Sequence, residues 1–105
     1  MMTPEDLATA ATAWAKLPEA DDHMRSAAQA VAAFVARLPV AYGLTAWPAD
    51  VELGAVMLTA RLYRRRNSPA GIEALTDMGA TYVSRYDSDV SRLLRIDAYA
   101  GPVAV

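Results

Sequence analysis

The chain has 105 residues, with ten basic and twelve acidic side chains and a formal net charge of −2 at pH 7. That length allows one domain with one modest core, and that charge balance excludes a protein whose whole surface binds phosphate. The absence of cysteine excludes a disulfide framework and a thiolate metal site, and it is typical of a protein from a reducing cytoplasm.

The first predicted element is a helix that begins at Thr3. Thr3 is a suitable N-cap, and Pro4 suits the first helical position. Two acidic residues, Glu5 and Asp6, then complement the positive end of the helix dipole. The helix should end before Pro18, because a proline disfavours the helical conformation of the residue before it.

The second predicted helix has the clearest amphipathic pattern in the chain. Asp21 or Asp22 can cap its start, and Pro39 ends it. Its apolar residues recur at three- and four-residue spacing and are Met24, Ala27, Ala28, Val31, Phe34, Val35 and Leu38. This spacing predicts a helix with one face buried against the rest of the domain.

A connector, PVAYGLTAWP, joins the second and third predicted helices. Its side chains Tyr42, Leu44 and Trp47 are too apolar for a freely solvated loop. We therefore expect all three to pack against other apolar surface.

The third predicted helix opens at Pro48, with Asp50 and Glu52 in its first turn. Its apolar residues point in nearly every direction and are Val51, Leu53, Ala55, Val56, Met57, Leu58, Ala60 and Leu62. A helix that is apolar all round is usually central. We therefore expect its neighbours in the chain, or another subunit, to surround it.

The remainder of the chain has no long periodic stretch, and Asp87 or Ser88 can cap one short helix within it. The predicted fold class is all-α: a small bundle of three main helices plus a short fourth helix, with a long irregular segment and an extended C-terminal arm. The divisions of this single domain are a helical core over residues 3–66, an irregular segment over 67–86, a short helix over 87–95 and an arm over 96–105.

Groups that could support catalysis or hold a cofactor are scarce. The single histidine, His23, lies in the predicted capping turn of the second helix, where a solvated side chain is the simplest interpretation. Asp87 and Asp89 resemble the start of a calcium-binding loop, but the glycine and distal glutamate of such a loop are absent, so capping is favoured. We expect no enzymatic activity, cofactor or metal. With no signal-peptide pattern and no stretch of about 18 apolar residues, we also expect neither secretion nor membrane insertion.

Four arginines lie within six consecutive positions: Arg61, Arg64, Arg65 and Arg66. Three interpretations are open: the cations complement the negative end of a helix dipole, bind an acidic patch such as residues 19–22 of a neighbouring subunit, or contact phosphates as in a small dimeric DNA-binding regulator. The start of the same helix has no Asn, Gln or Ser to read base edges, which weighs against sequence-specific DNA binding. Because exposed charges at a helix end contribute little, we expect reversal of Arg64 and Arg65 to Glu to leave the domain folded.

Residues 50–96 resemble the small head-to-tail adaptor, or connector, proteins of long-tailed bacteriophages, including those of actinophages and gene-transfer agents. The similar points are the acidic-capped apolar helix that ends in LYRRRNSP and the later segment YVSRYDSDVSRLLR. Where such proteins have phenylalanine and glycine after the SP segment, this chain has IEALTDMGA over residues 72–80.

The resemblance implies a structural virion protein that forms a ring under the portal and joins the capsid head to the tail, with DNA passing through the lumen unread. The implied partners are the portal protein, stopper or tail-completion proteins, and copies of itself in a ring, dodecameric to match the portal; packaged DNA passes close by, and no membrane is involved. The implied location is the virion neck, and the host cytoplasm during assembly. The interaction residues that we predict for this role are Arg61, Arg64, Arg65, Arg66, Arg85, Tyr86, Arg92, Tyr99, Val103 and Val105.

Overall fold

The computed structural model describes residues 2–65, residue 83 and residues 87–96. Four α-helices lie in these residues: α1, Pro4–Trp14; α2, Asp22–Ala36; α3, Ala49–Arg64; and α4, Ser88–Leu93. This part of the chain contains no strand, and α1, α2 and α3 pack against one another. The predicted all-α fold with three main helices and a short fourth helix is therefore confirmed.

Two predicted regions fall almost wholly outside the described residues. They are the irregular segment over residues 67–86 and the arm over residues 96–105. Only Val83 and Ile96 of these regions are described, and both side chains are buried in the core.

The predicted helix starts match the structure. The Thr3 hydroxyl oxygen accepts a hydrogen bond from the Asp6 N–H at 3.1 Å, and the Asp6 carboxylate accepts one from the Thr3 N–H at 3.3 Å, which forms a capping box. The Asp21 carboxylate accepts a hydrogen bond from the Met24 N–H at 2.9 Å and so caps α2. Helix α3 begins after Pro48, where no side chain caps it.

Helix α3 is the central helix, as its all-round apolar pattern predicts. It packs against α1, α2 and α4. Its buried residues surround most of its circumference and are Val51, Gly54, Ala55, Val56, Leu58, Thr59, Ala60 and Leu62. The buried hydroxyl of Thr59 donates a hydrogen bond to the Ala55 carbonyl oxygen at 2.8 Å. Because the hydroxyl has this partner, its burial costs little free energy.

The connector between α2 and α3 differs from the prediction that all three of its large apolar side chains pack. Trp47 is buried, but Tyr42 is 74% exposed and Leu44 is 46% exposed. The connector also buries Ala41, and the N–H groups of Ala41 and Tyr42 donate hydrogen bonds to the Leu38 carbonyl oxygen at 3.0 and 2.8 Å. Packing within the chain is therefore confirmed for Trp47, whereas Tyr42 and Leu44 do not pack within the described residues.

Helix α1 ends in a left-handed residue that is not glycine. Lys16 has a φ of 60°. Its N–H donates to the Ala13 carbonyl oxygen at 3.1 Å, and the Leu17 N–H donates to the Thr12 carbonyl oxygen at 3.0 Å, which together form a Schellman motif. Because a Cβ atom disfavours this conformation, Lys16 is a position where glycine fits better.

We expect Lys16→Gly to raise the free energy of unfolding by about 1 kcal/mol. Urea denaturation measures this change. The matched control is Lys16→Ala, which removes the same charge but keeps the Cβ atom, and it is expected to give no gain. Equal gains in the two variants would assign the effect to charge rather than to the backbone.

Candidate functional site

Two helices that are distant in sequence are joined by ion pairs at both ends. The C-terminal end of α3 binds the start of α4, and the start of α3 binds Arg95, two residues past the end of α4. The two helices therefore run antiparallel. We call this set of side chains the α3–α4 clamp, and its members are Asp50, Arg61, Arg65, Asp87, Asp89 and Arg95.

The buried carboxylate of Asp87 is the centre of the clamp. Arg65 donates two hydrogen bonds to it, from Nη1 to Oδ2 at 2.9 Å and from Nη2 to Oδ1 at 2.7 Å. Arg61 Nη1 lies 3.4 Å from the same Oδ1 atom. The Asp87 side chain is only 2% exposed, so two guanidinium groups compensate a charge that water cannot reach.

This arrangement corrects the prediction that Asp87 or Ser88 caps the short helix. Asp87 occupies the N-cap position of α4, but neither residue makes a side-chain capping hydrogen bond. A bidentate, charge-assisted pair with Arg65 is stronger than one hydrogen bond from a backbone amide. The sequence pattern therefore located the helix start correctly but gave Asp87 the wrong partner.

A second bidentate pair lies beside the first. Arg61 donates to both carboxylate oxygens of Asp89, each at 2.6 Å. The hydrogen bonds from Arg61 hold the pKa of Asp89 well below its ordinary value of 3.8, and the same bonds raise the pKa of the Arg61 guanidinium. Both members of this pair therefore remain charged in the folded protein through neutral pH.

The opposite end of the clamp reverses the charges. Arg95 donates from Nε and Nη2 to Asp50 Oδ2, at 3.3 and 3.0 Å. Asp50 lies in the first turn of α3 and Arg95 lies just past the end of α4, so each charge also complements its own helix dipole. The hydrogen bonds from Arg95 lower the pKa of Asp50 below its ordinary value of 3.8.

These lowered pKa values predict a loss of stability in acid. Below about pH 3.8 the unfolded chain binds a proton at Asp50 and Asp89 before the folded chain does, so the free energy of unfolding falls as the pH falls. We expect Asp89→Asn to flatten this dependence between about pH 4 and pH 2, and to lower stability at pH 7. Urea denaturation at a series of pH values measures the slope of the free energy of unfolding against pH. A slope equal to that of the wild type would contradict the role of Asp89 in the acid loss of stability.

Between its charged ends the clamp encloses a close apolar contact at Gly54. A Cβ atom at this position would lie 3.0 Å from Leu93 Cβ and 3.0 Å from Leu94 Cδ2. Glycine inside a helix costs about 1 kcal/mol relative to alanine, so its presence here needs a packing reason. Sequence reasoning missed Gly54, although a lone glycine in an otherwise strong helix was the available signal.

The structure separates the predicted interaction residues into three groups. Arg61 and Arg65 bind carboxylates of their own chain, and their contacts with a neighbouring subunit or with DNA stay a prediction. Arg64 and Arg92 are exposed on α3 and α4. The others lie outside the described residues and are Arg66, Arg85, Tyr86, Tyr99, Val103 and Val105.

The structure also distinguishes Arg64 from Arg65, although both lie at the end of the same helix. Arg64 is exposed, whereas Arg65 compensates a buried carboxylate. Reversal of Arg65 to Glu would therefore place two carboxylates against each other at Asp87. We no longer expect the double reversal to leave the domain folded.

The acidic patch over residues 19–22 also has partners within the chain. The Tyr63 hydroxyl donates a hydrogen bond to Asp21 Oδ2 at 2.9 Å, and Arg25 binds Asp22 at 3.2 Å. Glu19 is exposed beside them. This patch thus helps to fix the start of α2 against the end of α3.

Other functional groups are sparse in the described part of the chain. His23 is exposed at the start of α2. Within residues 2–65, 83 and 87–96, no three acidic or histidine side chains come together in a way that could hold a metal ion. Among the helices of these residues, none has the length and apolar character needed to cross a bilayer.

No model of a known protein family matches this chain, and neither does any curated protein or solved structure. The α3–α4 clamp and the resemblance over residues 50–96 therefore carry the functional proposal.

Proposed function

We propose that this chain is a head-to-tail adaptor subunit of a long-tailed bacteriophage, a prophage or a gene-transfer agent. Its role is binding: the portal on one side, stopper or tail-completion proteins on the other, and further copies of itself in a ring. DNA passes through the lumen of that ring without being read.

The observation that supports this proposal most is the way in which the two resembling segments meet. The segment LYRRRNSP supplies Arg65, and the segment YVSRYDSDVSRLLR supplies Asp87 and Asp89. Arg65 binds Asp87, and Arg61, which directly precedes the first segment, binds Asp89, so the two segments meet in the clamp that holds α4 on the central helix. The residues that carry the resemblance are thus parts of one structural unit, as expected if they persist together in a family of assembly proteins.

The same geometry weighs against a DNA-binding regulator. Two arginines of the cluster, Arg61 and Arg65, already bind carboxylates through bidentate pairs. Phosphate contacts would require those pairs to break beside the negative charges of Asp87 and Asp89. Because nonspecific DNA affinity grows with the number of phosphates that cations neutralise, the cluster offers less affinity than its sequence indicates.

The test is assembly with the portal protein. We expect electron microscopy of the purified chain mixed with the cognate portal to show a ring seated on the portal. A double change at the exposed residues, Arg64→Glu with Arg92→Glu, should leave the helical circular dichroism signal unchanged and weaken that complex. The matched control is Arg25→Glu with Arg37→Glu, which makes the same charge change on α2 and at its C-cap.

Two results would contradict the adaptor role. One is the absence of any ring or complex in the mixture with portal. The other is tight binding of duplex DNA that falls steeply between low and moderate salt, which is the behaviour expected of the regulator.

A further inference from the structure

The connector between α2 and α3 presents two large apolar side chains to solvent. They are Tyr42 and Leu44, and we call this pair the connector knob. Residues 38–49 carry no charged side chain, although charged residues make up 21% of the chain. The centres of protein–protein interfaces are depleted of charge and enriched in tyrosine, whereas freely solvated surface is rich in charge. The composition of the connector therefore favours a surface that another molecule covers.

The connector knob is held in a fixed position on the bundle. Trp47, at the end of the connector, is buried, and the Tyr42 N–H donates a hydrogen bond to the Leu38 carbonyl oxygen at 2.8 Å. Gly43, between Tyr42 and Leu44, has a φ of 78°, and a Cβ atom there would meet no other atom within 4 Å. The knob thus projects from an ordered turn, and little conformational entropy is lost when a partner covers it.

An open groove lies between α1 and the connection from α1 to α2, and we call it the α1–α2 groove. Its volume is about 350 Å³. The apolar side chains that line it are Ala13, Leu17, Pro18 and Ala20. Thr9 and Glu19 add side-chain oxygen atoms that can accept a hydrogen bond. Apolar walls with a few acceptors suit an aromatic side chain that carries a hydroxyl group, as tyrosine does.

The connector knob and the α1–α2 groove lie at opposite ends of α2. The groove is beside the start of this helix, and the connector follows its C-terminal end. Helix α2 has 15 residues, so the two features are about 22 Å apart along its axis. The knob therefore does not reach the groove of its own chain. A protruding apolar group and a pocket at different places on one subunit give a head-to-tail contact, which closes into a ring when the rotation between copies allows it.

We propose that the connector knob docks in the α1–α2 groove of a second copy of this chain, with Tyr42 inside the groove and its hydroxyl donating to the oxygen atoms there. This inference rests on the self-association in the proposed function, and it specifies the two surfaces that meet. One aromatic side chain buries about 150–250 Å², well below the total of about 1,200 Å² in a stable interface. The contact between two free copies is therefore weak, and a closed ring strengthens it through avidity.

The test traps this weak contact by cross-linking. The chain has no cysteine, so each variant carries a single thiol. Ala46→Cys adds one beside the connector knob, and Ala13→Cys adds one in the α1–α2 groove. An equimolar mixture of the two full-length variants, with different affinity tags, is treated with a short thiol-specific cross-linker, both alone and on the cognate portal. We expect intact-protein mass spectrometry to show more heterodimer, joined between positions 13 and 46, than random collision gives.

Control variants test whether the excess depends on the two surfaces. Ala33→Cys, at an exposed position on α2, replaces Ala13→Cys and is expected to give no excess. Tyr42→Ser in the Ala46→Cys chain should leave the helical circular dichroism signal unchanged, because Tyr42 is exposed, and should slow cross-linking about tenfold. Trp14→Ser in the same chain removes another exposed aromatic side chain, outside the knob, and should leave the rate unchanged.

Three outcomes would overturn the docking of the knob in the groove. They are no excess of heterodimer either alone or on the portal, an equal excess with Ala33→Cys, and a Tyr42→Ser variant that weakens the portal complex but cross-links at the unchanged rate. The last outcome would place the knob on the portal instead. Absence of the cross-link while the wild type still forms a ring on the portal would reject this contact alone, whereas a cross-link without any portal complex would reject the adaptor role alone.

Discussion

Replacement of Arg65 by Met is expected to lower the free energy of unfolding by about 3 kcal/mol. The change leaves the Asp87 carboxylate, 2% exposed, without the two hydrogen bonds from Arg65. Arg61 cannot replace them, because it lies 3.4 Å from Asp87 and is bound at 2.6 Å to both oxygens of Asp89. The cost is at the lower end of the range for buried pairs because the Arg65 side chain is 31% exposed.

Urea denaturation followed by circular dichroism measures this loss. The matched control is Arg64→Met, which removes the same charge from the preceding residue. Arg64 is exposed, so its change is expected to stay within about 0.5 kcal/mol. Equal losses in the two variants would assign the effect to the charge at the helix end rather than to the bond with Asp87.

A double variant tests why Arg65→Met loses stability. Asp87→Leu combined with Arg65→Met removes both the buried charge and its main partner. We expect this double variant to be more stable than Arg65→Met alone, because no unpaired carboxylate remains in the core. A double variant less stable than the single one would show that Asp87 has a structural role beyond the pair.

Replacement of Gly54 by Leu is expected to cost about 3 kcal/mol and to act first on α4. A Cβ atom at this position already meets Leu93 Cβ at 3.0 Å, and Leu93 Cβ is fixed to the backbone of α4. The added side chain can therefore be accommodated only if α4 moves away from α3. The contacts of α1 with α2 do not involve Gly54, so these two helices should remain packed.

Hydrogen exchange distinguishes a local loss of α4 from unfolding of the whole domain. We expect the amides of α4 to lose protection while those of α1 and α2 keep it. The control is Ala49→Leu, which creates the same side chain at an exposed position in the first turn of the same helix and should be nearly neutral. Unchanged protection of α4 in Gly54→Leu would mean that the close approach does not hold this helix in place.

The alanine variant gives a further comparison at the same position. Gly54→Ala gains about 1 kcal/mol of helix propensity, but its single methyl group meets Leu93 and Leu94 at 3.0 Å. We expect its stability to lie between those of the wild type and Gly54→Leu. A clear gain in stability would contradict the close contact between the helices.

The features that depend on neighbouring residues could be predicted from the sequence. The caps at Thr3 and Asp21 act on backbone amides three positions away, and both are present as predicted. The apolar spacing of α2 and the all-round apolar character of α3 predicted which side chains are buried and which helix is central. Such features follow from helix geometry, in which residues three or four apart share a face.

Contacts between residues that are distant in sequence could not be predicted in this way, because they depend on tertiary packing. The arginine cluster had three open interpretations because its carboxylate partners, Asp87 and Asp89, are 22 to 28 positions away. The role of Gly54 was likewise hidden, since the close approach involves Leu93 and Leu94 of another helix. Local rules describe contacts within one turn, whereas the pairing of α3 with α4 depends on how the whole chain packs, and that packing gives Asp87 its two arginines.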